Sequence, residues 1–488
     1  MQAASAETYN IIVIGAGSAG LTVAAGAAGL GARVALVERE RMGGDCLNTG
    51  CVPSKALIRA AKTAHTLRRG GQGIPAAGAP SIDWAAVAGH VQSVIDTIAP
   101  HDSVERFTAL GVDVWLGQAR LSGQDRVSVT DPAGQTHTLR GKAIVLATGS
   151  RAAVPPIPGL AEAGFQTNET VFTMPSLPSS LAVIGGGPIG CELGQALARL
   201  GAQVTLLEMA RLLPKDDPDA AQVVAAAMAA DGVALRTGVQ VRRVERAAGR
   251  KRIVFAPAGA EAGRDEQHVD VDEILLAVGR QPNVAELGLE AVGVRTHRGG
   301  IAVDERLRTH VPGIFACGDV AGPLLFTHTA NQQARVVIQN ALFPIKARMD
   351  YRVVPWATFT DPELAQVGLH EEEARANRIP FRTIHIPFAG VDRMVCDDAR
   401  AGFLKVLTPP GRDDILGATM VGAHAGELIH ELVLAMQAKL RLRDLAGTIH
   451  AYPTMAEIFR RAGDESRKAS LTPRLQRLIA AYLRWRRR

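Results

Sequence analysis

Two stretches of the chain share one hydrophobic pattern. Residues 11–20, IIVIGAGSAG, form an apolar run of strand length that ends in glycines, and LTVAAGAAGLGARVALVE continues as a small-residue helix and a second apolar strand closing on Glu38. Residues 181–190, LAVIGGGPIG, repeat the pattern, and LGAQVTLLE (200–208) matches LGARVALVE (30–38) at six of nine positions, 170 residues further on. Chance would not reproduce both the glycine register and the terminal acid, so the chain contains a structural repeat. Three more apolar strands close on glycine: AIVLATGS (143–150), EILLAVGR (273–280) and GIFACGDV (313–320). From about residue 350 the pattern changes to alternating strands such as FRTIHIPF and GFLKVL, followed by helical periodicity from Gly426. The predicted class is α/β, with two Rossmann-like domains, the second inserted in the first, plus a C-terminal α+β dimerisation domain. The expected boundaries are 1–150 and 280–349 for the first domain, 151–279 for the insertion, 350–465 for the interface domain and 466–488 for a tail.

The glycines give the repeat a chemistry. Gly15, Gly17 and Gly20, and again Gly185, Gly187 and Gly190, satisfy G-x-G-x-x-G, which supplies a tight turn, close backbone approach to a pyrophosphate and close helix packing. Glu38 and Glu208 end the following strands, where a carboxylate accepts from a ribose hydroxyl. Two dinucleotide sites in one chain suit electron transfer between a flavin and a nicotinamide, with the flavin at the first. Further cofactor-binding candidates are Ser18, Thr148, Gly149, Gly279, Gly318 and Asp319, the last placed to reach a ribitol or pyrophosphate. Glu208 repels a 2′-phosphate, so NADH is expected in preference to NADPH, although Arg211 lies nearby.

The chain has 488 residues and five cysteines, too few for a disulfide-stapled secreted scaffold, and two of them lie five apart in GGDCLNTGCVPSK (43–55). In a regular helix that spacing gives about 7.5 Å of rise, beyond the usual Cα separation of a disulfide, so a bonded Cys46–Cys51 pair excludes an ideal helix over Leu47–Gly50. Asn48 and Gly50 are expected to supply the irregular turn, and Pro53 suits the first turn of the next helix. Cys51 then sits near a helix N-terminus that favours a thiolate. The alternatives are ordinary buried thiols or a zinc site, but zinc needs two more ligands with recognisable spacing, and Cys191, Cys317 and Cys396 are isolated. No metal site is expected, and those three cysteines are read as structural.

Together with both glycine fingerprints, ATG, GRQPN and ACGD, the cysteine motif resembles the class I pyridine nucleotide–disulfide oxidoreductases, which include dihydrolipoamide dehydrogenase, glutathione reductase and mercuric reductase. The resemblance spans about residues 9–463. It implies a homodimer that binds FAD at the first fingerprint, oxidises a nicotinamide and reduces a small-molecule or protein disulfide. It also implies that Cys51 faces the flavin, that Cys46 attacks substrate, and that Lys55 pairs with Glu192 near the flavin. In two of these enzymes a histidine, oriented by a Glu five residues later, moves protons for the thiols. Here the matching stretch IHAYPTMAEIF (449–459) retains Glu457 but has Tyr452 in the histidine's place, with His450 two positions earlier. A phenol is a poor base at neutral pH. The tyrosine resembles mercuric reductase, but the terminal cysteine pair of those enzymes has no counterpart after Cys396. A metal, quinone or dye reductase is therefore the alternative reading.

Charge changes the picture only at the end of the chain. Eight Lys or Arg and no acid between Ser466 and Arg488 outweigh the formal net charge of +6, leaving the remainder about two charges negative. A nucleic-acid partner is therefore not expected. Leu471, Leu475, Leu478, Ile479 and Tyr482 share one helical face flanked by arginines, which fits packing on the dimer itself or peripheral membrane contact through 471–488. The first ten residues, MQAASAETYN, lack signal-peptide character, so the expected location is cytoplasmic, with contact at the inner membrane face.

Overall fold

The structure is a computed structural model that describes residues 8–78, 80–261 and 263–487. Residues 1–7, which carry most of the N-terminal leader reading, and Arg488, the last residue of the basic tail, lie outside the described residues. The chain forms two compact units. One comprises the chain up to Met209 together with Gly238–Asp350, the other Ala210–Thr237 together with the chain from Tyr351 onward.

In the first unit the apolar runs become the central strands of parallel sheets. Strand β1 (Tyr9–Ile14) leads into helix α1 (Ser18–Gly29) and strand β2 (Val34–Glu38). Helix α2 (Gly44–Asn48) and helix α3 (Cys51–Arg69) follow, then strands β3 (Val112–Leu116), β4 (Gln118–Gly123), β5 (Arg126–Thr130) and β6 (Thr136–Leu146). The sheet order is β3-β2-β1-β6-β5-β4, with strand Ile314–Ala316 parallel to β6 on its far edge. Every residue of β2 is buried, as expected for a parallel strand covered on both faces. Each fully buried Val, Leu or Ile contributes roughly 1.5–3 kcal/mol.

The repeat builds a second sheet. Strand β8 (Ser180–Ile184) runs parallel to both Gln203–Glu208 and Glu273–Leu276, and helix Pro188–Leu200 occupies the place that α1 takes in the first sheet. A three-stranded antiparallel sheet, formed by Val239–Ala247, Arg250–Pro257 and Gln267–Val271, packs in the same core as Leu207 and Ile274. Where the expected insertion begins and ends, strand β7 (Ser150–Ala152) pairs antiparallel with Arg280–Pro282.

The second unit contains a five-stranded antiparallel sheet in the order Pro355–Thr358, Glu363–Gly368, Gly417–Gly422, Phe403–Thr408 and Arg382–Pro387. Phe388, Met420 and Phe459 are fully buried in its core. The tail helix, Pro473–Arg486, has no buried residue, and Leu471 precedes it at the C-terminus of helix Glu457–Ser470 rather than on its apolar face.

Candidate active site

The two nucleotide turns are built alike. A Cβ on Gly20 would lie 1.8 Å from the Gly15 carbonyl oxygen, and one on Gly190 would lie 1.9 Å from that of Gly185, so both contacts require glycine. Gly17 caps α1 without a side-chain hydrogen bond, and Gly187 does the same for Pro188–Leu200, so both helix N-termini offer backbone N–H groups to a phosphate. Glu38 accepts from the N–H of Ala16 at 2.7 Å and of Glu40 at 2.8 Å, and Glu208 accepts from Gly186 at 2.6 Å. Each acid therefore closes its own glycine turn and keeps further lone pairs for a ribose. These cradles fit two dinucleotides: Gly15, Gly17, Ser18, Gly20 and Glu38 for one, and Gly185, Gly187, Gly190 and Glu208 for the other.

At the far edge of the first site, Thr148 donates from Oγ1 to Asn283 O at 2.7 Å, and Gly149 and Gly279 adopt positive φ. Asp319 follows Gly318 just beyond Ile314–Ala316. Ser150 Oγ donates to it at 2.5 Å and Arg280 Nε lies 3.5 Å away, yet burial still raises its carboxyl above the usual range.

The cysteine motif is two helices with a break. Helix α2 runs through Leu47 and Asn48, Thr49 (φ −144°) and Gly50 (φ −123°, ψ −109°) interrupt it, and α3 begins at Cys51. The irregular turn thus falls on Thr49 and Gly50 rather than on Asn48. Asn48 remains helical because its Nδ2 donates to Met42 O and Gly44 O.

All five cysteines are free thiols, so Cys46 and Cys51 stand as a reduced pair. Hydrogen bonding with Cys46 is the main cause lowering Cys51 to about 6. Surrounding atoms desolvate the sulfur and oppose ionisation, whereas Thr327 and the charge of Lys55 assist it. Cys46 moves far upward, because ionising it would break the same bond, and burial adds to the effect. Thr327, the first residue of helix Thr327–Leu342, brings its Oγ1 to 3.6 Å from Cys51 Sγ.

Lys55 lies one helical turn after Cys51, and its Nζ meets Glu192 Oε2 at 2.8 Å, with the carboxylate side chain buried. The expected ion pair is present. Cys191 is buried and hydrogen-bonds Gly186 O, and burial pushes the Cys317 thiol up to about 12, so neither is poised for exchange.

The second unit holds the other candidates. His450 Nε2 lies 2.9 Å from Glu431 Oε1 and its Nδ1 3.1 Å from Thr448 O. Tyr452 is largely exposed and donates to Asp392 Oδ2 at 2.9 Å, a bond that raises its phenol above the ordinary value. Glu457 does not orient residue 452. Its Oε1 accepts from Arg460 and Arg461, while its buried Oε2 has no hydrogen-bond partner among the described residues. Sequence reasoning missed Thr327, Glu431 and Asp392, whose partners lie 276, 19 and 60 positions away in the chain.

A paired nucleotide frame with a reactive thiol pair at a helix N-terminus defines a flavin-dependent disulfide reductase. Comparison with known proteins agrees. The model of the pyridine nucleotide-disulphide oxidoreductases matches residues 9–334, and that of their dimerisation domain matches 354–462. A dihydrolipoyl dehydrogenase of Thermus scotoductus is 35% identical over 95% of this chain and 99% of its own length. A mercuric reductase of Staphylococcus aureus is 33% identical over 92% of this chain and 81% of its own. Among solved structures, the Cu(II) complex of the HOCl-induced flavoprotein disulfide reductase RclA from Escherichia coli superposes with a TM-score of 0.83, at 29% identity, over 94% of this chain and 99% of that one. The chain belongs to the pyridine nucleotide–disulphide oxidoreductase family. It is an FAD-dependent NAD(P)H disulfide oxidoreductase, and its dimerisation domain supports a homodimer.

Proposed function

We propose that this enzyme oxidises NADH and reduces a small-molecule or protein disulfide through Cys46 and Cys51. The placement of Cys51 at the first turn of α3, one turn from the Lys55–Glu192 pair and 3.6 Å from the Thr327 hydroxyl, carries this reading, because it favours a thiolate there while Cys46 keeps its proton. Bound FAD supplies the relay that takes a hydride from the nicotinamide and delivers an electron pair to the sulfurs. Lys55, held by its ion pair with Glu192, brings a positive charge to bear on Cys51, and Thr327 offers it a hydroxyl. Cys46 must lose its proton to attack a substrate sulfur, after which Cys51 displaces the product thiol and re-forms the disulfide. For a proton acceptor the C-terminal region offers His450, paired with Glu431, rather than Tyr452, whose hydroxyl is committed as a donor to Asp392.

NADH is preferred because Glu208 faces the ribose position while Arg211 is occupied by Glu372 Oε2 and by the carbonyls of Leu213 and Asp216. The β7 pairing with Arg280–Pro282 supports insertion boundaries at 151 and 279.

The kinship to mercuric reductase and to an enzyme solved with Cu(II) supports a second reading, in which a thiophilic metal ion is the electron acceptor. An NADH oxidation panel with lipoamide, glutathione disulfide, Hg(II), Cu(II) and quinones, run on wild type and Cys46→Ser, decides between them. The disulfide reading expects at least a roughly hundredfold loss with lipoamide or glutathione disulfide in the variant and unchanged quinone rates. Unchanged disulfide turnover overturns it. Turnover confined to the metal ions selects the second reading.

The tail supports a cytoplasmic enzyme that touches an anionic membrane surface. Helix Pro473–Arg486 exposes Leu475, Leu478, Ile479, Tyr482 and Trp485, with Arg477 and Arg484 on the opposite side. This pairing of apolar and basic faces suits an acidic bilayer interface. No helix among the described residues is long and apolar enough to cross a membrane. The full chain is expected to sediment with anionic but not zwitterionic vesicles, and a chain ending at Ala469 to stay in solution. Equal sedimentation of the two removes the membrane role, and binding to duplex DNA in place of vesicles assigns the tail to nucleic acid.

A further inference from the structure

Asp45 immediately precedes Cys46, and its carboxylate reaches across to the turn that leads to Cys51. Oδ1 accepts from Thr49 Oγ1 at 2.7 Å and from Asn168 Nδ2 at 3.1 Å. The same Asn168 amide also donates to Thr49 O at 3.2 Å, so α2 and the break that follows it are tied to one buried amide. Oδ2 pairs with Arg280 Nη2 at 3.0 Å. Arg280 is in turn anchored to Ser150, donating from Nε to its Oγ at 2.7 Å and from Nη2 to its carbonyl at 3.0 Å, and Ser150 Oγ donates to Asp319. A Cβ on Gly50 would lie 2.9 Å from Asp45 O and 3.1 Å from Oδ2, so the turn is also packed against this side chain.

We propose that Asp45 is a positioning residue for the thiol pair: with Arg280 it forms a charge-compensated clamp that fastens the turn between Cys46 and Cys51 to the strand end carrying Asp319. The clamp has an electrostatic consequence besides a mechanical one. The reduced pair carries one negative charge that the disulfide lacks, and Asp45 opposes that charge on either sulfur. Arg280, paired with Oδ2 at 3.0 Å, offsets that opposition. The other charged group acting on the pair is Lys55 on α3, itself neutralised by Glu192. Removing one member of the clamp therefore shifts the thiol–disulfide equilibrium in one direction, and removing the other shifts it back. A purely mechanical role would move both variants the same way.

This inference rests on the Cys46–Cys51 pair being the redox centre. The FAD-loaded enzyme is equilibrated with mixtures of reduced and oxidised dithiothreitol at pH 8, quenched with iodoacetamide, and the masses of peptide 42–55 are read. In this exchange the dithiothreitol dithiol loses two electrons and closes to its ring, the enzyme disulfide gains them, and one of the two protons released is retained by Cys46. Asp45→Asn keeps the acceptor for Thr49 and Asn168 but loses the charge. It is expected to shift the equilibrium about tenfold toward the dithiol, roughly 30 mV for this two-electron couple. Arg280→Gln is expected to shift it about tenfold toward the disulfide, and the double variant to return within a factor of about two of wild type. Shifts of the same sign, or no shift in either variant, overturn the proposal. Asp45→Glu, which keeps the charge, controls for variants that lose stability. Failure of the peptide to show any disulfide under oxidising mixtures overturns the redox centre itself and is distinguishable from failure of the clamp.

Discussion

Replacing Cys51 with serine is expected to abolish disulfide turnover, by a factor of at least about a thousand, while leaving FAD bound and reducible by NADH. The electron pair reaches a substrate disulfide only through a sulfur pair that opens and closes, and a serine hydroxyl forms no such bond. The decisive measurement is anaerobic titration with NADH. Wild type is expected to form a two-electron-reduced state with a long-wavelength thiolate-to-flavin band, Cys51→Ser to bleach without it, and Cys46→Ser to show the band at rest. Its pH dependence follows from the acidity of Cys51. Because the thiol is lowered to about 6 by the Cys46 hydrogen bond, with help from Thr327 and Lys55, the thiolate is present above that pH. The band is therefore lost as pH falls through about 6. In Cys46→Ser a hydroxyl replaces the donating thiol, and in Thr327→Val one auxiliary donor disappears, so the latter midpoint moves upward. A band that persists in Cys51→Ser removes this sulfur from the flavin face.

The site was legible in the sequence where its chemistry is local. Both nucleotide turns place strand, glycines, helix and acid within 30 residues, Tyr9–Glu38 and Ser180–Glu208, so the pattern that forms the turn also states what it holds. The partner of Lys55 was legible only through family resemblance, because Glu192 lies 137 positions away. Contacts that set the acidity of the thiols were not visible. Thr327 reaches Cys51 because Thr327–Leu342 is packed against α1, a consequence of tertiary contact with no local signal. The turn between the cysteines shows a subtler failure. Asn48 and Gly50 were expected to break the helix on their intrinsic preferences, yet Asn48 finds two backbone acceptors that keep it helical, and Thr49, bonded to Asp45, takes the break. Composition likewise marked Leu471 as part of the tail's apolar face, but Thr472 caps the helix with its hydroxyl and Pro473 starts it, which leaves Leu471 outside.

Tyr452→His is expected to raise dihydrolipoamide turnover by at least about tenfold over the wild type. Glu457 is buried, and its Oε2 has no hydrogen-bond partner among the described residues, although Oε1 is held by Arg460 and Arg461. A buried acceptor without a donor is costly, about 1–3 kcal/mol, so an imidazole at 452 that turns its N–H to Oε2 is expected to recover that cost and to be oriented by it. Tyrosine gives no such relief, because its hydroxyl turns to Asp392. Its phenol, raised by that bond, stays protonated across the neutral range and cannot collect the thiol proton. A histidine at 452 titrates near neutrality, and general-base assistance contributes typically 10²–10⁴-fold when correctly placed. The gain should follow a pH–rate limb near 6.5, the ordinary histidine value. Glu457→Gln in the Tyr452→His background should remove most of it, because an amide orients the ring without stabilising its charge. Tyr452→Phe, which frees Asp392 but supplies no base, should gain nothing. If Tyr452→Phe matches Tyr452→His, the gain comes from releasing Asp392, and proton transfer at this position does not limit the enzyme.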